Sequence, residues 1–132
     1  KLHPSKYMEA RNRLKIATVL QYTLPGIPMV YYGDEIGMQG YEDPLNRKTM
    51  QWDNIDDVIH SRYIKLGELR KKYKEILQGE TSFLTHPTLL IYVRKSEQGK
   101  MTIAINPTDE EQELNDKKIG AWSYDIFIKQ YV

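Results

Sequence analysis

Apolar residues along this chain recur first at helical spacing, then as an unbroken run, then at helical spacing again, and finally at alternate positions. In SKYMEARNRLKIATVLQYTL, Tyr7, Ala10, Leu14, Ala17 and Gln21 fall on one stripe, and Ile16, Val19, Leu20 and Leu24 widen the apolar face toward its end. The spacing predicts a helix over 6–22, with Ser5 as N-cap because a serine oxygen accepts from the unpaired amides of a first turn. Pro25-Gly26 closes it. The run IPMVYYG that follows has no alternation, which predicts a strand over 27–32 with both faces covered, as in an inner parallel strand. Asp34 to Trp52 has no period and is dense in Gly, Asp, Asn and Pro. It reads as a long loop, and loops of such length in compact domains are functional or disordered.

Helical spacing returns at Ile59, Tyr63, Leu66, Leu69, Tyr73 and Ile76, behind Asp56-Asp57, whose carboxylates suit a helix N-terminus. Gln78-Gly79 ends this second helix, with Lys71, Lys72 and Lys74 near the negative end of its dipole. Beyond Gly79 the period becomes two: Leu89, Ile91 and Val93 alternate with Leu90, Tyr92 and Arg94, and Met101, Ile103 and Ile105 alternate with Thr102, Ala104 and Asn106. Ser96-Glu97-Gln98-Gly99 joins the two runs as an antiparallel hairpin. A further strand is expected at about 123–129, with weaker ones near Ser82 and Gln112. The fold class is α+β: two helices and one barrel-type strand over 1–78, then a small antiparallel sheet or sandwich over 79–132. Helix, strand, loop and helix are the parts of one turn of a (β/α)8 barrel, and one turn cannot close a barrel.

Composition narrows the chemistry. At 132 residues the chain is the size of one domain, and its net charge of +1, without a Lys/Arg block, argues against nucleic acid and anionic membrane as partners. The chain has no cysteine, so disulfides, thiolate nucleophiles and Cys-type zinc sites are excluded. His3, His60 and His86 form no H-x-x-x-H pair and read as solvated or capping imidazoles, so no metal or cofactor is expected. The longest apolar stretch, Ile16 to Tyr32, is broken by Pro25, Gly26 and Pro28, and is not a membrane helix. No signal peptide is visible, which slightly favours the cytoplasm. The chain begins with Lys1 and reaches its first methionine only at Met8, so it reads as a piece of something longer.

Candidate chemistry concentrates in 30–52. Gly33, Gly37 and Gly40 have the spacing G-x-x-x-G-x-x-G, not the G-x-G-x-x-G of a dinucleotide site, and read as tight-turn glycines. Asp34 and Glu35 are adjacent; if strand geometry persists, they point to opposite faces and cannot both flank one glycosidic bond. Asp43-Pro44 and Arg47 are the better prospect. Pro44 restricts the backbone around Asp43, and Arg47, four residues on, can return to the same pocket with a planar fork of donors. A carboxylate accepting hydroxyls beside a donating arginine holds a sugar; the alternative is an ion pair that pins the loop. Tyr41 and Trp52 could stack on a sugar ring, but aromatics near a helix start are expected in the core.

The stretch LPGIPMVYYGDEIGMQGYEDPLNRKTMQW closely resembles the signature around the eighth barrel strand of the α-amylase superfamily of glycoside hydrolases: a G-x-P-x-x-Y-Y-G-x-E strand, then D-P-x-x-R and M-x-W. The helix at 6–22 resembles the seventh barrel helix, 56–77 the eighth with its run Leu66 to Arg70, and 80–132 the antiparallel C-terminal domain. By resemblance, the D-P-x-x-R loop touches sugar on the non-reducing side of the cleavage point. That role carries over to Asp43 and Arg47 alone, as substrate-binding residues. The family's nucleophile Asp, acid/base Glu and transition-state Asp follow the fourth, fifth and seventh strands, upstream of Lys1, so no catalytic residue is assigned in this chain.

The resemblance implies the C-terminal portion of an amylase-type enzyme that hydrolyses α-glucosidic bonds of α-glucans or malto-oligosaccharides with retention. The 132 residues alone are expected to be inactive, because neither leaving-group protonation nor covalent capture is possible without the two carboxylates. The alternatives are a stand-alone structural or interaction domain, or a weak carbohydrate-binding module, derived from such an enzyme. A strand at 27–32 without neighbours exposes an apolar edge, so the isolated chain is expected to self-associate, rearrange this segment or pack the helices over it.

Overall fold

A computed structural model describes residues 2–132. The first helix, α1, spans Pro4–Thr23. It starts two residues before the expected position, and the cap is His3, whose Nδ1 accepts from the Ser5 amide at 3.4 Å. Ser5 is inside the helix because Pro4 takes the first helical position, where its missing N–H leaves nothing unpaired and its fixed φ already suits the helix. The buried face is also not the stripe through Tyr7, Ala10, Leu14, Ala17 and Gln21, since Ala10 and Ala17 are exposed. Thr18, Val19 and Thr23 are buried instead, with Ile16, Leu20, Tyr22 and Leu24 packed on the core. The sheet lies on that side, and its position rather than local spacing selects the face.

The expected strand at 27–32 is absent. Residues 27–31 have no regular structure, and Ile27 and Met29 are 93% and 81% exposed. A parallel strand exists only through ladder bonds to neighbours, and among the described residues none runs beside this one. Gln21 Nε2 anchors its middle by donating to the Met29 carbonyl at 2.5 Å. The chain then turns at Gly33, whose φ of 95° suits glycine and where a Cβ would stand 2.6 Å from Met38 Sδ. Asp34–Ile36 is a 3₁₀ turn.

The second helix, α2, spans Asp57–Lys72 with Asp56 as N-cap, and after a break at Tyr73 a single turn, α3, covers Lys74–Leu77. Ile59, Tyr63, Leu66 and Ile76 are buried at the expected spacing. Tyr63 meets Tyr22 of α1 edge-to-face at 6.0 Å. Six strands follow: β1 Glu80–Leu84, β2 Leu90–Ser96, β3 Gly99–Asn106, β4 Gln112–Leu114, β5 Lys117–Ile119 and β6 Ser123–Gln130. They make a four-stranded antiparallel sheet in the order β1-β2-β3-β6 and a separate β4-β5 ribbon. The hairpin at Ser96–Gly99 forms as expected; β5 was not anticipated.

The central strands of this sheet are covered on both faces. Tyr92, Met101, Ile103 and Ile105 pack against Val19, Leu66, Ile76 and Leu77 of the helices. On the other face Leu89, Ile91 and Ala104 meet Ile119 and Leu114 of the ribbon and Phe127 of β6. One core therefore joins the helices to the sheet. Arg94 lies within it, 1% exposed. Its Nη1 donates to the Thr23 carbonyl at 2.6 Å, and its Nη2 to the carbonyls of Leu77 and, at 3.2 Å, Gly79. A guanidinium from β2 thus satisfies carbonyls left over at the ends of α1 and α3, where helix dipoles favour a cation. Burial lowers its pKa, but not enough to discharge an arginine.

Candidate functional site

The candidate site is built on the segment that leaves α1. Tyr31 and Tyr32 stand side by side, ring centroids 4.9 Å apart, and reach across to the returning limb of the loop. Tyr32 Oη donates to the Lys48 carbonyl at 2.7 Å, and Tyr31 Oη to the Asn46 carbonyl at 3.4 Å. Lys48 Nζ donates to the Gln39 carbonyl at 3.2 Å. Turns bonded from Leu45 N to Glu42 O, 2.9 Å, and from Arg47 N to Pro44 O, 3.0 Å, complete the loop. Between the tyrosines and this limb lies an open groove of about 420 Å³, lined by Tyr31, Tyr32, Asp34, Gln39, Leu45 and Asn46 among others.

Asp43 and Arg47 come together beside this groove. Arg47 Nε meets Asp43 Oδ1 at 2.7 Å, with the side chains 71% and 58% exposed. Neither residue lines the groove itself. An ion pair this exposed stabilises the loop by at most about 1 kcal/mol. It has a second consequence: Asp43 Oδ2 and the two terminal Arg47 nitrogens have no partner among the described residues and are left as an acceptor beside two donors.

Asp34 and Glu35 behave differently from each other. They lie in the 3₁₀ turn and not on a strand, so strand alternation does not govern them. Glu35 folds back to accept from the Gly33 amide at 2.8 Å. Asp34 faces the groove, where partial burial, and then the charge of Glu35, hold its carboxyl above the usual range. Tyr41 and Trp52 are not core residues, being 49% and 73% exposed. The core is already closed by α1, α2 and the sheet, and nothing is packed over the loop that carries them.

On the other side of Gln39, a groove of about 580 Å³ separates the start of α1 from the loop. Its base holds Asp56, which accepts from Tyr7 Oη at 2.7 Å and from Arg11 Nη2 at 2.6 Å while capping α2 through the Val58 and Ile59 amides. Burial pushes the Asp56 carboxyl up, but the bonds from Tyr7, Ile59 and Arg11 outweigh it and leave the pKa below the ordinary value. This cluster ties the loop's end to α1 and was not foreseen. Its sequence signal is Arg11, a cation on the half of α1 that also carries Tyr7.

The histidines are placed as expected where they have partners. His3 caps α1, and His86 Nδ1 accepts from the Thr88 and Leu89 amides at 3.2 and 3.0 Å. Among the described residues no group of three or more His, Asp or Glu side chains converges as a metal site, and no helix is long and apolar enough to cross a membrane.

Residues 4–104 match the family described as alpha amylase, catalytic domain. This chain belongs to that family. The amylase-family chain is 34% identical over 107 residues to a cyclomaltodextrinase of Geobacillus thermopakistaniensis, covering 77% of itself and 18% of that relative. It is 36% identical over 110 residues to a maltogenic alpha-amylase of Bacillus acidopullulyticus, covering 76% of itself and 18% of the relative. In structure it is similar to the maltogenic amylase from S. marinus, with a TM-score of 0.82, 26% identity, and coverage of 87% of this chain and 19% of that one. The amylase-family chain therefore spans less than a fifth of the length of each of these relatives.

Proposed function

We propose that this chain is the C-terminal portion of an amylase-type glycoside hydrolase acting on α-glucosidic bonds of α-glucans or malto-oligosaccharides, and that it contributes one wall of the sugar cleft without the catalytic carboxylates. The observation that carries the reading is the family match over 4–104 in a chain spanning less than a fifth of its relatives. In this reading residues 1–78 belong to the end of a barrel and 79–132 to the antiparallel domain after it. Asp43 and Arg47 are the sugar-holding pair: their ion pair fixes both side chains, while Asp43 Oδ2 and the outer Arg47 nitrogens stay open for hydroxyls. Glu35 is turned onto the Gly33 amide while Asp34 lines the groove, so this adjacent pair is not arranged for acid/base and nucleophilic roles. The exposed Ile27, Met29, Tyr31 and Tyr32 lie in a segment whose apolar pattern suits a strand with barrel neighbours, and in isolation this face is covered by a second copy.

Calorimetry with maltose-series sugars on the wild type and on Arg47→Ala tests the assignment. The expected result is weak heat of binding in the wild type that disappears in the variant, since half a pocket encloses little of a ligand. Binding that is unchanged in Arg47→Ala would remove the pair from the site.

A further inference from the structure

The face of the sheet that carries the β4-β5 ribbon has a second concentration of charge, remote in sequence from the loop. Lys95 of β2 lies directly opposite Lys100 of β3, and Lys100 directly opposite Lys129 of β6. Residues directly opposite each other on antiparallel strands share a face, about 5 Å apart per step, so three ammonium stems stand in a row about 10 Å long. Each step of about 5 Å is shorter than the screening length of about 8 Å at physiological salt, so ions in solution screen neighbouring charges only in part.

Lys117 joins the row from the ribbon, its Nζ 4.8 Å from the centre of the Phe127 ring. Lys100, Thr102, Asn115, Lys117, Phe127 and Lys129 are among the residues lining a groove of about 350 Å³. The nearby carboxylates in the register are at its margins: Glu80 of β1 is opposite Lys95, beyond the end of the row, and Asp125 is opposite Ala104, where its Oδ1 accepts from the Ile126 amide at 2.9 Å.

The position of this row on the sheet separates it from ordinary surface lysines. Edge strands carry lysine to block strand addition, as Lys129 on β6 does, but Lys95 and Lys100 are on the two inner strands of the order β1-β2-β3-β6, where no such protection is needed. Five cations elsewhere are paired, Lys6 and Arg13 with Glu9, Arg11 with Asp56, Arg47 with Asp43, and Lys118 with Glu111. None of Lys95, Lys100, Lys117 and Lys129 has a carboxylate partner among the described residues. A like-charged row maintained on rigid strands is unfavourable alone and becomes favourable when a multiply charged oxyanion bridges it.

We propose that the groove formed by Lys100, Lys117 and Lys129 over Phe127 binds a phosphate monoester carried on a sugar. A patch of this length fits one dianion, whereas a nucleic-acid backbone would need a longer basic track. The three lysines hold the oxyanion, Thr102 and Asn115 offer hydrogen bonds to the hydroxyls, and Phe127 supplies an apolar surface for the ring. The choice of a sugar as carrier rests on the proposed amylase-type function; the oxyanion site itself rests only on the lysine row.

The test is thermal unfolding and amide-resolved NMR titration of the 132-residue chain with glucose 6-phosphate, inorganic phosphate, glucose and sodium chloride at matched ionic strength. The wild type and the Lys100→Ser/Lys129→Ser double variant are compared. Without ligand the double variant should melt higher than the wild type, because the repulsion is gone. Glucose 6-phosphate should raise the wild-type Tm beyond chloride, shift the amides of Thr102 and Phe127, and bind the variant at least about tenfold more weakly. No more effect than chloride, or shifts centred on Asp43 and Arg47, would overturn the proposal. Inorganic phosphate acting as strongly as glucose 6-phosphate would support the oxyanion site and overturn the sugar carrier. Arg47→Ala leaves this face intact, so failure of maltose binding there and failure of phosphate binding here are read separately.

Discussion

The sheet with its helices and the segment 24–56 treat backbone polar groups in opposite ways. In the body, every strand of the four-stranded sheet has an antiparallel partner, and Arg94 reaches from β2 to three carbonyls beyond the ladders. In the segment, residues 27–31 have no ladder, and the loop is held by side chains such as Tyr32, Lys48 and, through Tyr7 and Arg11, Asp56. The body's order is distributed over a core, so it resists single changes outside a few buried polar hubs. The segment's order depends on a few exposed contacts, which leaves its groups available to a ligand or another polypeptide. Binding groups in proteins commonly stand on such loops beside a rigid scaffold.

The contrast is broken most severely at Arg94. Arg94→Met should destabilise the chain by about 3–5 kcal/mol, since three carbonyls at the ends of α1 and α3 lose their donor inside the core. Chemical denaturation measures this directly, and a loss under about 1 kcal/mol would mean that water replaces the guanidinium without difficulty. Asn106 is the second hub. Its Nδ2 donates to the carbonyls of Glu110, Ile119 and Gly120 at 2.8–3.0 Å, and its Oδ1 accepts from Thr108. Asn106→Ala should cost about 2–4 kcal/mol and loosen the β4-β5 ribbon, seen as lost amide protection at Ile119.

At the junction of the two regions the effect is smaller and depends on pH. Asp56→Ala should cost about 2 kcal/mol at neutral pH, through the lost helix cap and the lost Arg11 pair. Because the folded pKa of Asp56 is depressed, its contribution is complete above the unfolded value of about 3.9 and is lost as pH falls through the folded value. The wild type and variant should therefore converge in stability only in strong acid. Asp34 has the opposite sign: its raised folded pKa makes the charged form unfavourable, so Asp34→Asn should slightly raise Tm at pH 7 and have no such effect in acid. A matching pH profile for the two variants would erase the distinction between cap and groove.

The smallest change in folding stability is expected in the open segment. Ile27→Lys with Met29→Lys alters side chains that are 93% and 81% exposed and should change stability by less than about 0.5 kcal/mol. The same double substitution should convert a self-associating wild type to a monomer in light scattering. A wild type that is monomeric at high concentration would show that the exposed segment is not sticky enough to be covered by a second copy.

What the sequence made legible was local. The hairpin at Ser96–Gly99, β6 and the buried spacing of α2 depend on periods read within one element, and all three are present. The strand at 27–32 was misread because an apolar run forms a strand only where neighbouring strands pair with it, and among the described residues none does. The buried face of α1 depends on where the sheet docks, which its own spacing does not encode. Arg94 was visible only as one member of an alternating strand; a charge in register with Met101 on a core face was the available signal. The i,i+4 spacing of Asp43 and Arg47 was sufficient to bring them together, and the structure places them in an ion pair beside the groove. The three-residue β5, mostly lysine, offers too short a pattern to distinguish from a turn.

The central claim is that this amylase-family chain holds part of a sugar cleft without the groups that cleave. A chromogenic maltoside assay on the purified 132 residues tests it most directly. The predicted result is no turnover above buffer at any pH between 4 and 9, since neither leaving-group protonation nor covalent capture is possible without a placed pair of carboxylates. Turnover that co-purifies with the chain through successive columns and scales with its concentration would contradict the account.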